Sequence, residues 1–207
     1  MNVEERQHVL TLLNQMMSQR VQTQTSLNTT LKEFSDRLFS ALESILETMQ
    51  ASGIPGVGKY RRLVHPAGGG REGFQLFIED WSIIFVPLLG LARPNILDEA
   101  RIPGVQFKEP CGRIAVFLTD DPSGNAFYDF LIFQDGSWFA WGYGWPKQQS
   151  DIESTDFEAL ALELVHSFIK DIFVTWHTRD TTPLSTALDA KKRCYVFGLP
   201  GEDRQGV

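Results

Sequence analysis

Apolar residues recur every seven positions over the first fifty residues of the chain. When Val3 is taken as position a of a heptad, ten of the fourteen a and d positions up to Thr48 are apolar. Neither Gly nor Pro interrupts this stretch before Gly53. A seven-residue repeat of this length is typical of a coiled-coil seam and not only of a surface helix. The pattern therefore predicts a long N-terminal helix.

The middle of this helix is its weakest part. Residues 20–30 are rich in Thr, a poor helix former, and Arg20 and Gln24 place polar side chains on the seam. A helical hairpin is therefore an alternative to one continuous helix. Beyond this point the apolar stripe widens, as in a helix that docks on a globular core. We expect the second half to pack on the domain and the first half to reach outward. In the alternative, both halves fold onto their own core. The expected oligomer seam consists of Leu10, Leu13, Met17, Leu27 and Leu31.

Strand patterns with a two-residue period begin at Phe74. Residues 74–87 are interpreted as one or two strands that end at Pro87, residues 104–108 and 113–119 as two more, and residues 193–199 as a last one.

A second helix is predicted from Thr155, because Thr155 and Glu158 form a capping box in front of an apolar stripe. This helix should cover one face of the sheet and the N-terminal helix part of the other. The stripe consists of Phe157, Leu160, Ala161, Leu164, Phe168, Ile172 and Trp176.

These patterns predict an α+β fold. An antiparallel sheet of about five to seven strands packs with the long, coiled-coil-like N-terminal helix and with a C-terminal amphipathic helix. Residues 1–52 form the long helix or helical hairpin, and residues 53–73 a basic, Gly-rich linker with the first strand. Residues 74–200 form the α+β domain, and residues 201–207 a disordered tail.

Asp135-Gly136 is the strongest hairpin signal in the chain. A two-residue turn there pairs Phe130 with Trp141 and Phe133 with Trp138. The first pair belongs to a ladder of large rings that must be core, because so much contiguous apolar surface is not left in water. The second face ends in small residues, so we expect it to meet a partner or ligand through Asp129, Leu131, Phe133 and Trp138.

The segment GIPGVGKY, residues 53–60, has the spacing of a phosphate-binding loop. Such a loop needs a strand before it, a helix after it and a hydroxyl for magnesium. Here a helix precedes the segment, strand-type residues follow it, and Tyr60 occupies the hydroxyl position. We interpret Gly53 as the end of the long helix. The surrounding basic residues form either a solvated strand edge or a patch for an acidic partner: Lys59, Arg61, Arg62 and Arg71.

Composition excludes several classes of protein. The 207 residues carry a formal net charge of −7, whereas nucleic-acid binders cluster Lys and Arg to neutralise phosphates. Two distant cysteines form no disulfide framework and no metal-ligand spacing; reduced cysteines are the expectation, and one long-range bridge is the alternative. The N-terminus lacks the pattern of a signal peptide, and no run is long and apolar enough for a membrane helix. We expect a cytoplasmic protein without a membrane contact.

Catalytic and metal-binding patterns are weak. Two Glu-x-x-His pairs occur, at Glu5 with His8 and at Glu163 with His166, but both lie on the polar sides of their predicted helices. The acids of residues 79–80 and 120–121 fit a metal-dependent hydrolase, although adjacent acids at turns usually cap backbone amides. The sequence predicts no metal site, no cofactor and no catalytic residue.

The leading functional hypothesis is a non-catalytic cytosolic oligomerising or adaptor protein. It would bind itself and another protein through the coiled coil and the aromatic-rich sheet. The first alternative is a small-ligand-sensing regulatory domain with a pocket beside Asp129, and the second is the metal-dependent hydrolase.

Overall fold

A computed structural model describes residues 3–64, 68–79, 81–91, 111–118, 126, 128–142 and 148–178. The seven strands in this part of the chain form one antiparallel sheet, in which each strand pairs with the next along the sequence. The predicted α+β fold, with its sheet and two helices, is confirmed. The elements are α1 (Val3–Ala51), β1 (Val57–Val64), β2 (Glu72–Ile78), β3 (Trp81–Leu91), β4 (Cys111–Leu118), β5 (Tyr128–Phe133), β6 (Ser137–Gly142), β7 (Gln148–Asp151) and α2 (Phe157–Thr178).

The N-terminal helix α1 is uninterrupted over 49 residues, so the alternative of a helical hairpin is wrong. In its Thr-rich middle, the hydroxyls of Thr23, Thr25 and Thr29 donate to backbone carbonyls four residues earlier, at 2.9–3.1 Å. Bonds of this kind satisfy the hydroxyl groups within the helix. We divide α1 into an outer segment, residues 3–26, and an inner segment, residues 27–51.

The inner segment packs on the sheet through its apolar stripe. The ring of Phe34 lies 5.5 Å from that of Phe130 on β5 and 5.3 Å from that of Trp138 on β6, measured between centroids. Phe39 stacks on Phe74 of β2 at 5.5 Å. The outer segment reaches away from this core, and residues 5–22 are all exposed. The buried stripe consists of Leu27, Leu31, Phe34, Leu38, Phe39, Ala41, Leu42 and Leu46.

Both helices lie on the same face of the sheet, which we call the first face. Phe157 of α2 meets Phe34 of α1 at 5.2 Å between ring centroids, and Leu160, Leu164 and Phe168 join the same core. The prediction that the helices cover opposite faces is therefore wrong. Each helix has a stripe wide enough to contact the sheet and the other helix together. Among the side chains that the structure describes, the core cluster of the opposite, second face contains none from either helix.

Gly53 ends α1, as predicted. It has a φ of 72°, and its amide donates to the carbonyl of Gln50 at 3.0 Å while Ile54 donates to Met49 at 3.2 Å. This pair of bonds is a Schellman motif, which requires a left-handed residue at the position of Gly53. Strand β1 follows, so the segment has a helix before it and a strand after it. This is the reverse of the order in a phosphate-binding loop.

Gly53→Ala should lower the free energy of unfolding by about 1 kcal/mol, because a side chain at positive φ is strained. No atom lies within 4 Å of the position of the added Cβ, so the cost is conformational and not a clash.

Lys59→Ala, in the same segment, should leave the free energy of unfolding unchanged and remove no nucleotide binding. Chemical denaturation compares the two variants. ATP or GTP binding that disappears in Lys59→Ala would contradict our interpretation of the segment.

Strand β3 continues through Pro87 to Leu91, so the predicted end at Pro87 is wrong. Proline is normally confined to edge strands because it has no amide hydrogen. Pro87 pairs with Ile114 of β4, but the pairing of β3 with β2 ends at Phe85. Among the described residues, β3 beyond Phe85 is paired with β4 alone, and this local edge accommodates the proline.

The hairpin of β5 and β6 is one residue out of the predicted register. Ile132 pairs with Trp138, and Asp129 pairs with Trp141. The loop contains three residues, 134–136, and Gly136 closes it with a φ of 83° and a bond from its amide to the carbonyl of Phe133 at 3.0 Å. Three-residue loops with a left-handed last residue are a common hairpin type. A shift of one residue exchanges the two faces of a strand.

The cap of α2 also differs from the prediction. Asp156, not Thr155, caps the helix, since its carboxylate accepts from the amide of Ala159 at 3.0 Å. The hydroxyl of Thr155 instead donates to the carbonyl of Asp151 at 2.5 Å and accepts from the indole of Trp138 at 2.7 Å.

Some predictions fall on residues outside the described part of the chain. These are the strands at residues 104–108 and 193–199 and the tail at residues 201–207. The side chains of Trp141, Ile172 and Trp176 also lie outside it.

Candidate interaction surface

Seven large apolar side chains of the outer segment of α1 are exposed. Each is between 43% and 65% accessible, and at 3.6 residues per turn they occupy about half of the helix circumference. The opposite side is polar, with Thr11, Gln15, Ser18 and Gln22 at its centre. We call the seven residues the outer apolar face: Val9, Leu10, Leu12, Leu13, Met16, Met17 and Val21.

This surface is large for one chain alone. At the areas of ordinary aliphatic side chains, the seven residues expose on the order of 600 Å², and contiguous apolar patches of that size mark interaction sites. A typical surface helix has its apolar stripe turned to the core. Here the stripe of the outer segment is turned to solvent. The helix therefore presents an unusually apolar surface for another protein element.

The predicted oligomer seam is divided between the two segments of α1. Leu10, Leu13 and Met17 belong to the outer apolar face, whereas Leu27 and Leu31 are 1% and 0% exposed. Leu31 packs so closely on β4 that a Cβ added at Gly112 would lie 3.2 Å from its side chain. Leu27 and Leu31 are therefore part of the chain's own core and are not available for a seam.

The predicted partner or ligand face does not form one surface. Asp129, Leu131 and Phe133 lie on the second face of the sheet, whereas Trp138 joins the core on the first face. All four side chains are buried, with at most 4% exposed. The three-residue loop is the physical reason, because it places Trp138 and Asp129 on opposite faces. Trp138 packs between Phe34 and Phe130 and has no exposed ring to offer a partner.

A buried ion pair on the second face was not predicted. The guanidinium of Arg113 on β4 donates through Nε to Oδ1 of Asp129 on β5, and the two side chains are 0% and 1% exposed. Buried charges require such pairing, because desolvation of an isolated ion is costly. The signal was present in the sequence: each residue is the single charge within an otherwise apolar strand, and the two charges are opposite.

A polar cleft lies beside Trp138 on the first face, between β7 and the start of α2. Its volume is about 450 Å³. Gln148 and Glu163 face each other across it and form a hydrogen bond. The ligand-sensing hypothesis expected a cavity beside Asp129, but Asp129 lies on the other face. The cleft is lined by Trp138, Gln148, Gln149, Ser150, Ser154, Thr155, Asp156, Ala159, Leu160 and Glu163.

The predicted basic patch is dispersed. Arg62 turns toward α1 and donates to Glu43 at 2.7 and 2.8 Å, and these bonds hold the pKa of its guanidinium above the usual value. Arg61 turns to the second face and donates to Gln75 at 2.8 Å. Arg71 donates to Asn28 of α1 at 3.1 Å, and Lys59 is exposed at the sheet edge. The three arginines therefore form separate hydrogen bonds within the domain and do not make one basic surface.

The metal-binding candidates do not converge. Among the described residues, no three His, Cys, Asp or Glu side chains lie close enough to hold a metal ion. His8 is on the exposed outer segment of α1, and His166 is exposed on α2. The acids at residues 80, 120 and 121, which the hydrolase hypothesis requires, lie outside the described part.

Comparison with models of protein families, with curated proteins and with solved structures finds no match to this chain. Neither helix in the described ranges includes a segment with the length and apolar character needed to cross a membrane.

Proposed function

We propose that this is a non-catalytic, cytosolic oligomerising protein whose protein-binding surface is the outer apolar face of α1. The observation that carries the proposal is the exposure of seven large apolar side chains on one side of a continuous helix. Leaving such a face in water is unfavourable by roughly 25 cal/mol per Å². A helix from another subunit, packed against it, would remove this cost.

The sheet domain would serve in this proposal as the folded body that holds the helix rigid. The inner segment anchors α1 through Phe34, Leu38 and Leu42, which are fully buried. The aromatic side chains of the hairpin that the structure describes are buried in the sheet domain, so they no longer support partner binding through the sheet. An adaptor role, in which the assembly also binds a second protein, would use the helices that self-association brings together.

Charged substitutions on the outer apolar face should separate the subunits. We expect Leu10→Glu/Leu13→Glu/Met17→Glu to be monomeric, because association would bury three carboxylates per chain. Wild-type protein at micromolar concentration should show a mass above the 23.4 kDa of one chain. Light scattering coupled to size-exclusion chromatography measures the mass of the wild-type protein and of the variant.

The matched control is Thr11→Glu/Gln15→Glu/Ser18→Glu, which adds the same three charges to the polar side of the same turns. It should keep the wild-type mass. All six positions are exposed, so the thermal stability of the folded domain should be similar in both variants. A monomeric wild-type protein, or equal loss of association in the two variants, would contradict the proposed function.

A further inference from the structure

We infer that the partner of the outer apolar face is a second copy of the same chain, and that the two outer segments pack antiparallel about a two-fold axis near Leu12 and Leu13. This inference rests on the proposed self-association and specifies its geometry. It follows from the direction of the face relative to the sheet, from the charges at its ends and from its area.

The outer apolar face points in the same direction as the face that packs on the sheet. Eighteen residues make five full turns of an α-helix, so residues separated by eighteen lie directly above one another. Such pairs join exposed residues of the outer segment to buried residues of the inner segment. They are Val9 with Leu27, Leu13 with Leu31, Met16 with Phe34, and Val21 with Phe39.

This alignment opposes a parallel pair that packs along its whole length. In a parallel coiled coil the two apolar faces oppose each other along the whole length, with helix axes about 8–10 Å apart. Along the inner segments that space is already filled, because each helix has its own sheet on that side. Two sheets cannot fit between helices at this distance, and the continuous α1 has no break at which the helices could diverge.

An antiparallel pair has room for both sheets. Each outer segment, roughly 35 Å long, would lie against the outer segment of the other chain and point toward the edge of the other chain's sheet. The two folded bodies would then lie at opposite ends of the pair. The interface is self-complementary, as a two-fold axis requires.

The charges on this side of the helix favour the same arrangement. An antiparallel overlap centred between Leu12 and Leu13 brings Glu5 of one chain opposite Arg20 of the other, twice by symmetry. A parallel, in-register pair would instead place Arg20 beside Arg20. Like charges across a helix interface oppose association, and opposite charges specify orientation.

The area is at the lower limit for a dimer. Two outer apolar faces together expose on the order of 1,200 Å², which is the most apolar area that this pair could bury and equals the lower end of the range for specific interfaces. A dimer held by this surface alone should therefore dissociate on dilution.

Cross-linking between introduced cysteines tests the geometry. In Glu5→Cys/Arg20→Cys, a short bis-maleimide should join residue 5 of one chain to residue 20 of the other, and peptide mass spectrometry identifies the link. Within one chain these residues are roughly 22 Å apart along the helix, too far for the reagent. Glu5→Cys alone and Arg20→Cys alone should give no dimer link, since each residue is equally far from its own copy. Wild-type protein controls for the native cysteines.

The outcomes separate this inference from the proposed function. A mass of two chains with the 5-to-20 link supports both. Links of residue 5 to residue 5 and of residue 20 to residue 20 would show a parallel assembly, and a mass of three or more chains would show a larger bundle; either result overturns the inference and leaves the proposed function intact. A monomer at micromolar concentration overturns both.

Discussion

Asp129→Ala is expected to lower the free energy of unfolding by about 3–5 kcal/mol, because it leaves the buried guanidinium of Arg113 without this carboxylate. Single domains are stable by about 5–15 kcal/mol in total, so the variant should lose a large share of its stability. Urea denaturation followed by tryptophan fluorescence measures the loss. The matched control is Asp36→Ala, which removes an exposed aspartate that pairs with Lys32 and should cost less than about 1 kcal/mol.

The double variant Arg113→Met/Asp129→Leu separates the contribution of the ion pair from the penalty of removing only one of its two partners. Replacing both partners of a buried ion pair by apolar residues of similar size is often neutral or stabilising. We therefore expect the double variant to be more stable than Asp129→Ala. If the double variant is the less stable of the two, the pair contributes more to folding than its own desolvation costs, and our reasoning fails.

Trp138→Ala should also destabilise the protein by about 3–5 kcal/mol, the usual cost of removing a large buried ring. Trp138 is 3% exposed and lies against Phe34 and Phe130 at 5.3 and 6.1 Å between centroids. For a chain of this size the melting temperature should fall by roughly 6–20 °C.

Two variants separate the ring of Trp138 from its hydrogen bond. Thr155→Val removes the acceptor of the indole N–H together with the bond from the Thr155 hydroxyl to the carbonyl of Asp151, and should cost about 1–2 kcal/mol, since the indole bond is only partly buried. Trp138→Phe keeps an aromatic ring and should fall between Thr155→Val and Trp138→Ala. A small effect of Trp138→Ala, with intact folding, would mean that Trp138 is not a core residue.

The fold class could be predicted from the sequence because long, consistent patterns determine it. The heptads of α1 and the apolar stripe of α2 both extend over several turns, so local deviations such as Arg20 or Thr23 do not change the prediction. The end of α1 was also predictable, since Gly53 has a single conformational role there.

The faces of the hairpin could not be predicted in the same way. Asp135-Gly136 correctly located the turn, but the same dipeptide fits loops of two and three residues. The loop of three residues contains contacts that the dipeptide does not reveal: Asp135 accepts from both the amide and the hydroxyl of Ser137, at 3.1 and 2.6 Å. One residue of difference reverses β6, and with it the roles assigned to Trp138.

The two halves of α1 were hard to distinguish for another reason. The outer and inner segments carry similar apolar stripes. A periodic sequence pattern shows which side of a helix is apolar, but it does not show what packs against that side. The wider stripe around Leu42 and Leu46 favoured docking of the inner segment, and the structure places it on the sheet. Whether the outer stripe is covered depends on molecules other than the single chain.

The order of the strands has a consequence for synthesis of the protein. Each strand pairs with its neighbour in sequence, so hairpins can form as they emerge, with little loss of chain entropy. The inner segment of α1 is different, because it contacts residues made much later: Arg37, for example, donates to the carbonyl of Ile152 across 115 residues. At about 5–20 residues per second, a ribosome needs roughly 5–20 s to make the intervening chain.

During that time both apolar stripes of α1 are exposed on the nascent polypeptide, and neighbouring ribosomes on one messenger RNA carry the same helix. Chaperone binding to ribosome-bound chains should therefore be strongest before β5 and β6 emerge.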